Sequence, residues 1–411
     1  MATMPGLPMI GHGQLEGLVE KYGMEFRRAQ LDEEIDGGFW QHHEAAIFPL
    51  LRHRRLFSGA EQFWLLEFDQ DGTVCEDVIA FANRRNDETA LVVVHNRQAT
   101  VRGTLRHSTE QRVDGEDGPL ERRDLLATLG LTTTENRLYA LRNQQDGHWH
   151  LHHSRRLERD GLPLALGPYA HQVYLEIRAI DDRDGDWNRL CRHLEGRGVS
   201  DLDLELLAMR HADLHTALRK ALSNPNTAAA TEWFEAWRCH VDPESDTKTV
   251  SARWISLLKK IETEEITASN RGLLRVAALF QATLGSLRDL SRVLGRFGFD
   301  LPLRELLTEF DLSLLKQLYK LTPRPRELVS GRLWVRLLAD QSILELLGCH
   351  RWGDYSYLCH EALDRLVHTA PLYLDCLVQA DIPFKTESLR RSGTFLLRQA
   401  ARIDDRLDDL L

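Results

Sequence analysis

Between residues 62 and 181 the apolar positions recur every second residue. Trp64, Leu66 and Phe68 alternate with Leu65 and Glu67, the period of a strand with one buried face. Gln70-Asp-Gly-Thr73 follows with the residues of a tight hairpin turn. Leu91 to Val94 is apolar without a break, as in a central strand covered on both faces. Leu138 to Leu141, Trp149 to Leu151 and Val173 to Ile177 give three more strands, and Asp124-Leu-Leu-Ala-Thr-Leu-Gly130 a short helix with a glycine stop. After Asp181-Asp-Arg-Asp-Gly-Asp186 the period changes to three and four. It runs through Leu207, Leu214, Leu218 and Leu222, then Trp254, Leu257, Leu258 and Ile261, then Leu273, Val276, Ala277, Phe280, Leu284 and Leu287, and later Leu389, Leu396, Ala400, Ile403 and Leu407. Asn224-Pro225, Gly298 with Pro302, Pro323 with Pro325, Gly348 and Pro383 break these runs. They predict about seven to ten helices in a bundle or irregular array, with no fixed-period repeat.

Ahead of the first strand, Trp40, His43, Ile47 and Leu51 recur at helical spacing. Pro49 splits that segment into two short helices. The opening run is shorter still. Leu7, Met9 and Ile10 are its apolar core, Gly11 and Gly13 let the backbone turn, and His12, Gln14 and Glu16 crowd the exit. A strand that delivers polar side chains through a glycine turn at its carboxyl end is how barrels and open α/β sheets build sites.

With 411 residues the chain has length for two or three domains. A net charge of −10 argues against non-specific nucleic-acid binding, which rests on a basic patch that neutralises phosphates. No run reaches the ~18 apolar residues of a membrane span, and the amino terminus has no export signal. Cys75, Cys191, Cys239, Cys349, Cys359 and Cys376 are scattered and never spaced C-x-x-C, so reduced thiols in a cytoplasmic protein are expected. The Arg-Arg pairs, Arg54-Arg55 among them, have acidic neighbours and read as solvated faces.

Several clusters carry a bland and a chemical reading. His148, His150 and His152 share one strand face; a solvated outer face is preferred over a zinc site, which wants ligands from more than one element. Cys239-His240, Cys349-His350 and Cys359-His360 read as buried thiols beside surface histidines. Asp182-Arg-Asp-Gly185 lacks the remaining ligands of a calcium loop and reads as a hinge and helix start. Trp233, Trp237 and Trp254 could stack on sugars but read as core at their helical spacing. Glu33, Glu34 and Asp36 lie on a loop without the apolar pocket that would raise one carboxyl pKa.

Gly6-x-Pro8-x-x-x-x-Gly13-Gln14 resembles the segment around the eighth barrel strand of the α-amylase superfamily of glycoside hydrolases. The family usually places an acidic residue directly after the Gln; here Leu15 stands there and Glu16 follows. Glu76 to Arg84 with Ala90 to Asn96 looks like the strand pair opening the β-sandwich after that barrel. Leu164-x-x-Gly167-Pro168-Tyr169 before Val173 looks like its closing strand. The resemblance covers about the first 180 residues and implies the end of a β/α barrel over residues 1–56 and an antiparallel β-sandwich over 57–181; with the α-helical domain that the periodicity predicts over 187–411, which resembles no known family, the expected architecture is multidomain α+β. The resemblance implies hydrolysis or transfer at α-glucosidic bonds, with an α-glucan or oligosaccharide as partner. No cofactor or metal is expected from the residues. His12, Gln14, Glu16 and Tyr22 would then stand on the rim of the substrate cleft, shaped by Gly6, Pro8 and Gly13. The family's three catalytic carboxylates belong to earlier barrel strands. The expectation is therefore the carboxyl-terminal part of a longer enzyme, inactive alone, with a separate barrel-containing chain as a further partner. The rival expectation is a non-catalytic carbohydrate-binding or assembly protein.

Overall fold

The computed structural model describes residues 2–20, 31–113, 118–244, 246–263, 266–285, 287–321, 332–352, 355–377, 386–402 and 407. The chain is mixed α/β and divides into two compact units after Leu202.

In the first unit, helices α1 (Gly37–His42), α2 (Phe48–Arg52) and α3 (Arg54–Phe57) precede strands β1 (Phe63–Gln70), β2 (Thr73–Val74), β3 (Val78–Arg85), β4 (Glu88–His95), β5 (Val101–Ser108), β6 (Gln111–Arg112) and β7 (Leu120–Glu121). Helix α4 (Leu125–Leu129), strands β8 (Arg137–Asn143) and β9 (Trp149–His153), helix α5 (Ser154–Asp160), strands β10 (Leu162–Leu166) and β11 (His171–Asp181) and helix α6 (Asp186–Leu194) follow. The strands pair antiparallel in the order β10-β5-β1-β3-β4-β11-β8-β9, with β2 folded back on β1 and β6 paired with β7 alone. Where a sandwich of two facing sheets was expected, all the described strands of this unit except β6 and β7 join one 9-stranded sheet that curls. Its inner face buries Leu66, Phe68, Leu91, Leu105, Tyr139 and Leu141 with Leu126 of α4 and Leu157 of α5. Its outer face packs Phe81, Val92 and Val173 against Leu50, Leu56 and Phe57 of α2 and α3.

Local chemistry accounts for these elements. Asp71 and Gly72 both have positive φ, 53° and 83°, the backbone of the two-residue turn that closes the β1–β2 hairpin. Asp124 caps α4 by accepting the Ala127 N–H, and Gly130 ends it in the left-handed region. At Pro49 the expected pair of short helices is present, joined by a wide π turn over His43–Ile47. Pro49 has no N–H to offer the Ala45 carbonyl, and the Gln144 amide donates there instead, at 3.4 Å.

The division lies beyond Asp181–Asp186 because α6 belongs with the sheet. Leu190 and Leu194 are buried, the Cys191 thiol donates to the Leu151 carbonyl at 3.3 Å, and Val199 pairs with Trp149 along the open edge of β9.

The second unit holds α7 (Leu202–Arg210), α8 (Ala212–Ser223), α9 (Thr227–His240), α10 (Thr247–Thr263), α11 (Ala268–Leu284), α12 (Leu290–Phe297), α13 (Asp300–Leu303), α14 (Glu309–Gln317), α15 (Arg332–Leu338), α16 (Gln341–Leu346), strands β12 (His350–Trp352) and β13 (Tyr355–Tyr357), α17 (His360–Leu377) and α18 (Thr386–Arg402). The described helices outnumber the expectation because α13, α15 and α16 are too short to show a period. The β12–β13 hairpin departs from an all-helical domain. Leu214, Leu218, Trp254, Leu258, Leu273 and Phe280 share one core, as their spacing requires.

Candidate functional site

The opening segment, expected as a strand, has no strand ladder over its described residues 2–20. Arg54 holds it in place. Its guanidinium donates to the carbonyls of Ala2 at 2.8 Å and Met4 at 3.3 Å and to that of Gly6, while the Gly6 N–H donates to the Ser58 carbonyl at 3.1 Å. Gly6 and Gly13 have positive φ, 87° and 72°, and a Cβ on Gly13 would lie 2.7 Å from that of Leu18. Leu18 donates back to the Gly13 carbonyl at 3.0 Å. The Gln14 side-chain oxygen accepts the Gly11 N–H at 2.7 Å, so its amide is oriented by its own turn.

This clamp leaves apolar side chains in the open: Leu7 is 93% exposed, Met9 78% and Ile10 43%. Beside them Pro8, Ile10, Gln14, His43, Ile47 and Leu51 line a recess of about 320 Å³. His43 comes from the π turn. Its Nδ1 lies 2.9 Å from the Phe39 carbonyl, which can only accept, so a neutral His43 carries its proton there and keeps Nε2 as an acceptor. Of the expected rim, Gln14 lines the recess, together with Pro8 of the structural motif, whereas His12 and Glu16 lie on the same turn outside its lining. Tyr22 lies outside the described residues. His43 was legible only as a helical-spacing residue.

The neighbouring carboxylates tie the loop together. Glu33 accepts the Val19 and Glu20 N–H groups at 2.8 and 2.9 Å, Glu20 accepts that of Leu31 at 2.7 Å, and Asp36 caps α1 through Phe39 at 3.0 Å. Among the described residues the recess is lined by no carboxylate. It has the apolar wall and oriented polar groups of a binding surface, without the facing pair of carboxyls that breaks a glycosidic bond.

The other clusters resolve as follows. His150 and His152 lie on the face of Tyr139, Leu141 and Tyr174, the inner one, rather than on a solvated outer face. The segment at 196–198 covers them: the Gly196 carbonyl stands 3.1 Å from His150 Nδ1, and a Cβ on Gly198 would lie 2.8 Å from the His150 ring. Burial, with His150 and Arg156 adding, pushes His152 down to about 4. Among the described residues no group of three His, Cys, Asp or Glu side chains is placed to hold a metal ion. Cys239 and Cys359 are exposed, against the expectation of buried thiols, because each sits on the solvent side of its segment. The Cys376 side chain lies outside the described part. Trp233, Trp237 and Trp254 are core. Asp182 is buried and starts α6, accepting the N–H groups of Gly185 and Asn188, each at 3.0 Å.

The fold and site define a mixed α/β protein with a curled antiparallel sheet, a helical unit and an exposed apolar opening segment held by an arginine clamp. No protein-family model matches the chain, and no curated protein matches it either.

Proposed function

We propose that this chain is the carboxyl-terminal, non-catalytic part of an α-amylase-like glycoside hydrolase or glucanotransferase. In this reading residues 1–56 complete a β/α barrel, the curled sheet stands where the family's sandwich follows it, and the helical unit comes last. The barrel, on a separate chain or segment, carries the catalytic carboxylates. The observation that carries the proposal is the exposure of Leu7, Met9 and Ile10 on a segment whose backbone is fixed by Arg54. A clamped apolar strip facing solvent is a docking surface awaiting its other half, and the adjoining recess with Gln14 and His43 would form part of the substrate rim.

The test has two readings of one preparation. The purified chain is expected to release no sugar from starch or maltoheptaose. The triple variant Leu7→Ser, Met9→Ser, Ile10→Ser is expected to self-associate less in sedimentation velocity and to keep the parent melting temperature. Turnover above a no-protein control would overturn the placement of the carboxylates. A loss of several kcal/mol, the size expected for core deletions, would show that the strip is already packed.

A further inference from the structure

One wall of the recess beside the opening segment is lightly held. Pro8, Ile10 and Gln14 line one side, and His43 and Ile47 of the π turn the other. No side chain of α1 is buried, and the π turn buries only Ala46. α1 joins the opening segment through the Asp36 N–H and the Glu16 carbonyl at 2.9 Å. On the sheet side the Gln144 amide reaches the Ala45 carbonyl at 3.4 Å, the far end of hydrogen-bond range. A segment with so few buried contacts opens at lower cost than the sheet beneath it.

His171 lies under this segment. It begins β11 opposite Val94, on the same face of the sheet as Val173, which packs with Leu50 of α2 and Phe57 of α3. The side chain is half-buried, yet its Nε2 is fully covered and has no hydrogen-bond partner. His42, the last residue of α1, is the titratable neighbour that acts on it. Gln144, Val94 and Val173 from the sheet are neutral, and Glu44, the carboxylate of the π turn, is exposed. Burial first, and then His42, hold the His171 pKa below the ordinary value. A neutral imidazole tolerates a covered nitrogen, whereas an imidazolium needs water or an acceptor at both of its N–H groups.

We propose that His171 is an acid release for the recess: when it takes up a proton from solvent, α1 and the π turn lift from the sheet and carry His43 and Ile47 out of the wall. The closed form binds this proton less readily than the open one. It is therefore fully favoured above about pH 6.5 and loses ground as the pH falls below that. A single histidine sets the ceiling, since one proton changes the closed-to-open ratio by up to about tenfold between pH 7.5 and 5.5. α2 and α3 stay in place, because Leu50, Leu56 and Phe57 are buried. The inference goes beyond the proposed function, because it concerns how the recess opens and not what enters it.

Hydrogen exchange of the full chain, read by mass spectrometry as protection factors so that the intrinsic pH dependence of exchange cancels, tests this with no sugar present. Peptides over residues 37–47 are expected to lose protection about three- to tenfold between pH 7.5 and 5.5, while those from β4 keep theirs. In His171→Leu, which has no proton to take up, the loss is expected to vanish. Should that variant fail to fold, His42→Gln decides, since removing the neighbouring charge is expected to shrink the loss. No loss in the parent chain, an equal loss in β4, or a loss unchanged in His171→Leu would overturn the proposal, as would an unchanged loss in His42→Gln where that variant has to decide.

Discussion

His215 on α8 is 2% exposed, with Nε2 2.8 Å from the Phe297 carbonyl and Nδ1 buried without a hydrogen-bond partner. Burial first, then Arg219 and His211, hold its pKa below the ordinary value, although the Phe297 carbonyl and Glu305 pull the other way. His211 is lowered likewise by burial, then by His240. Because the unfolded chain takes up these protons near pH 6.5 and the folded chain does not, acidification favours the unfolded state. Stability from this source is complete above about pH 6.5 and declines as the pH falls below it. Glu305, held low by Arg219, keeps its charge through that window. The urea midpoint of the helical unit, followed by tryptophan fluorescence, is expected to drop between pH 7.5 and 5.5, with a smaller drop in His215→Gln. Equal drops would remove His215 as the cause. The sequence disclosed none of this, since a histidine's titration depends on what covers it. Arg54, read as half of a solvated pair, instead binds the carbonyls of the opening segment, which its neighbours in sequence could not reveal.

The start of α6 shows how far an element is legible from its own residues. Asp182-Arg-Asp-Gly185 was readable as a helix start, and Asp182 accepts the Gly185 N–H at 3.0 Å, the Asn188 N–H at 3.0 Å and the Asn188 side-chain amide at 2.6 Å. Asp182→Ala is expected to lower stability by about 1–3 kcal/mol, because the buried Asp182 carboxylate accepts from the Gly185 and Asn188 N–H groups and its loss leaves these partly buried donors without that acceptor. Asp182→Asn, which keeps one acceptor oxygen, should lose less. Urea denaturation of both variants checks this, and a harmless alanine would mean the cap carries no weight. The same local chemistry made the β1–β2 turn, α4 and the Pro49 break readable. It could not place α6 against β9, because the Leu190 and Leu194 stripe says that a partner exists and not which one.

For the whole molecule, the two units make a choice between cuts. Residues 1–202 are expected to melt cooperatively, whereas residues 1–185 lose Leu190 and Leu194 from their cover over β9. At about 1.5–3 kcal/mol for each buried leucine, the shorter piece should be less stable by about 3–6 kcal/mol or aggregate, as calorimetry and light scattering would register. Equal melting of the two would return the boundary to Asp181–Asp186. The amino-acid sequence by itself determined the period-two region, the helical region, the turns and the caps, because each rests on residues within a few positions of one another. Only the tertiary structure decided that nine of the strands join one curled sheet, that His150 and His152 face inward, that Leu7, Met9 and Ile10 stand exposed, and that the β4–β11 ladder stops at Leu91 and Tyr174. Those outcomes depend on partners tens to more than a hundred residues away, whose identity no local pattern encodes.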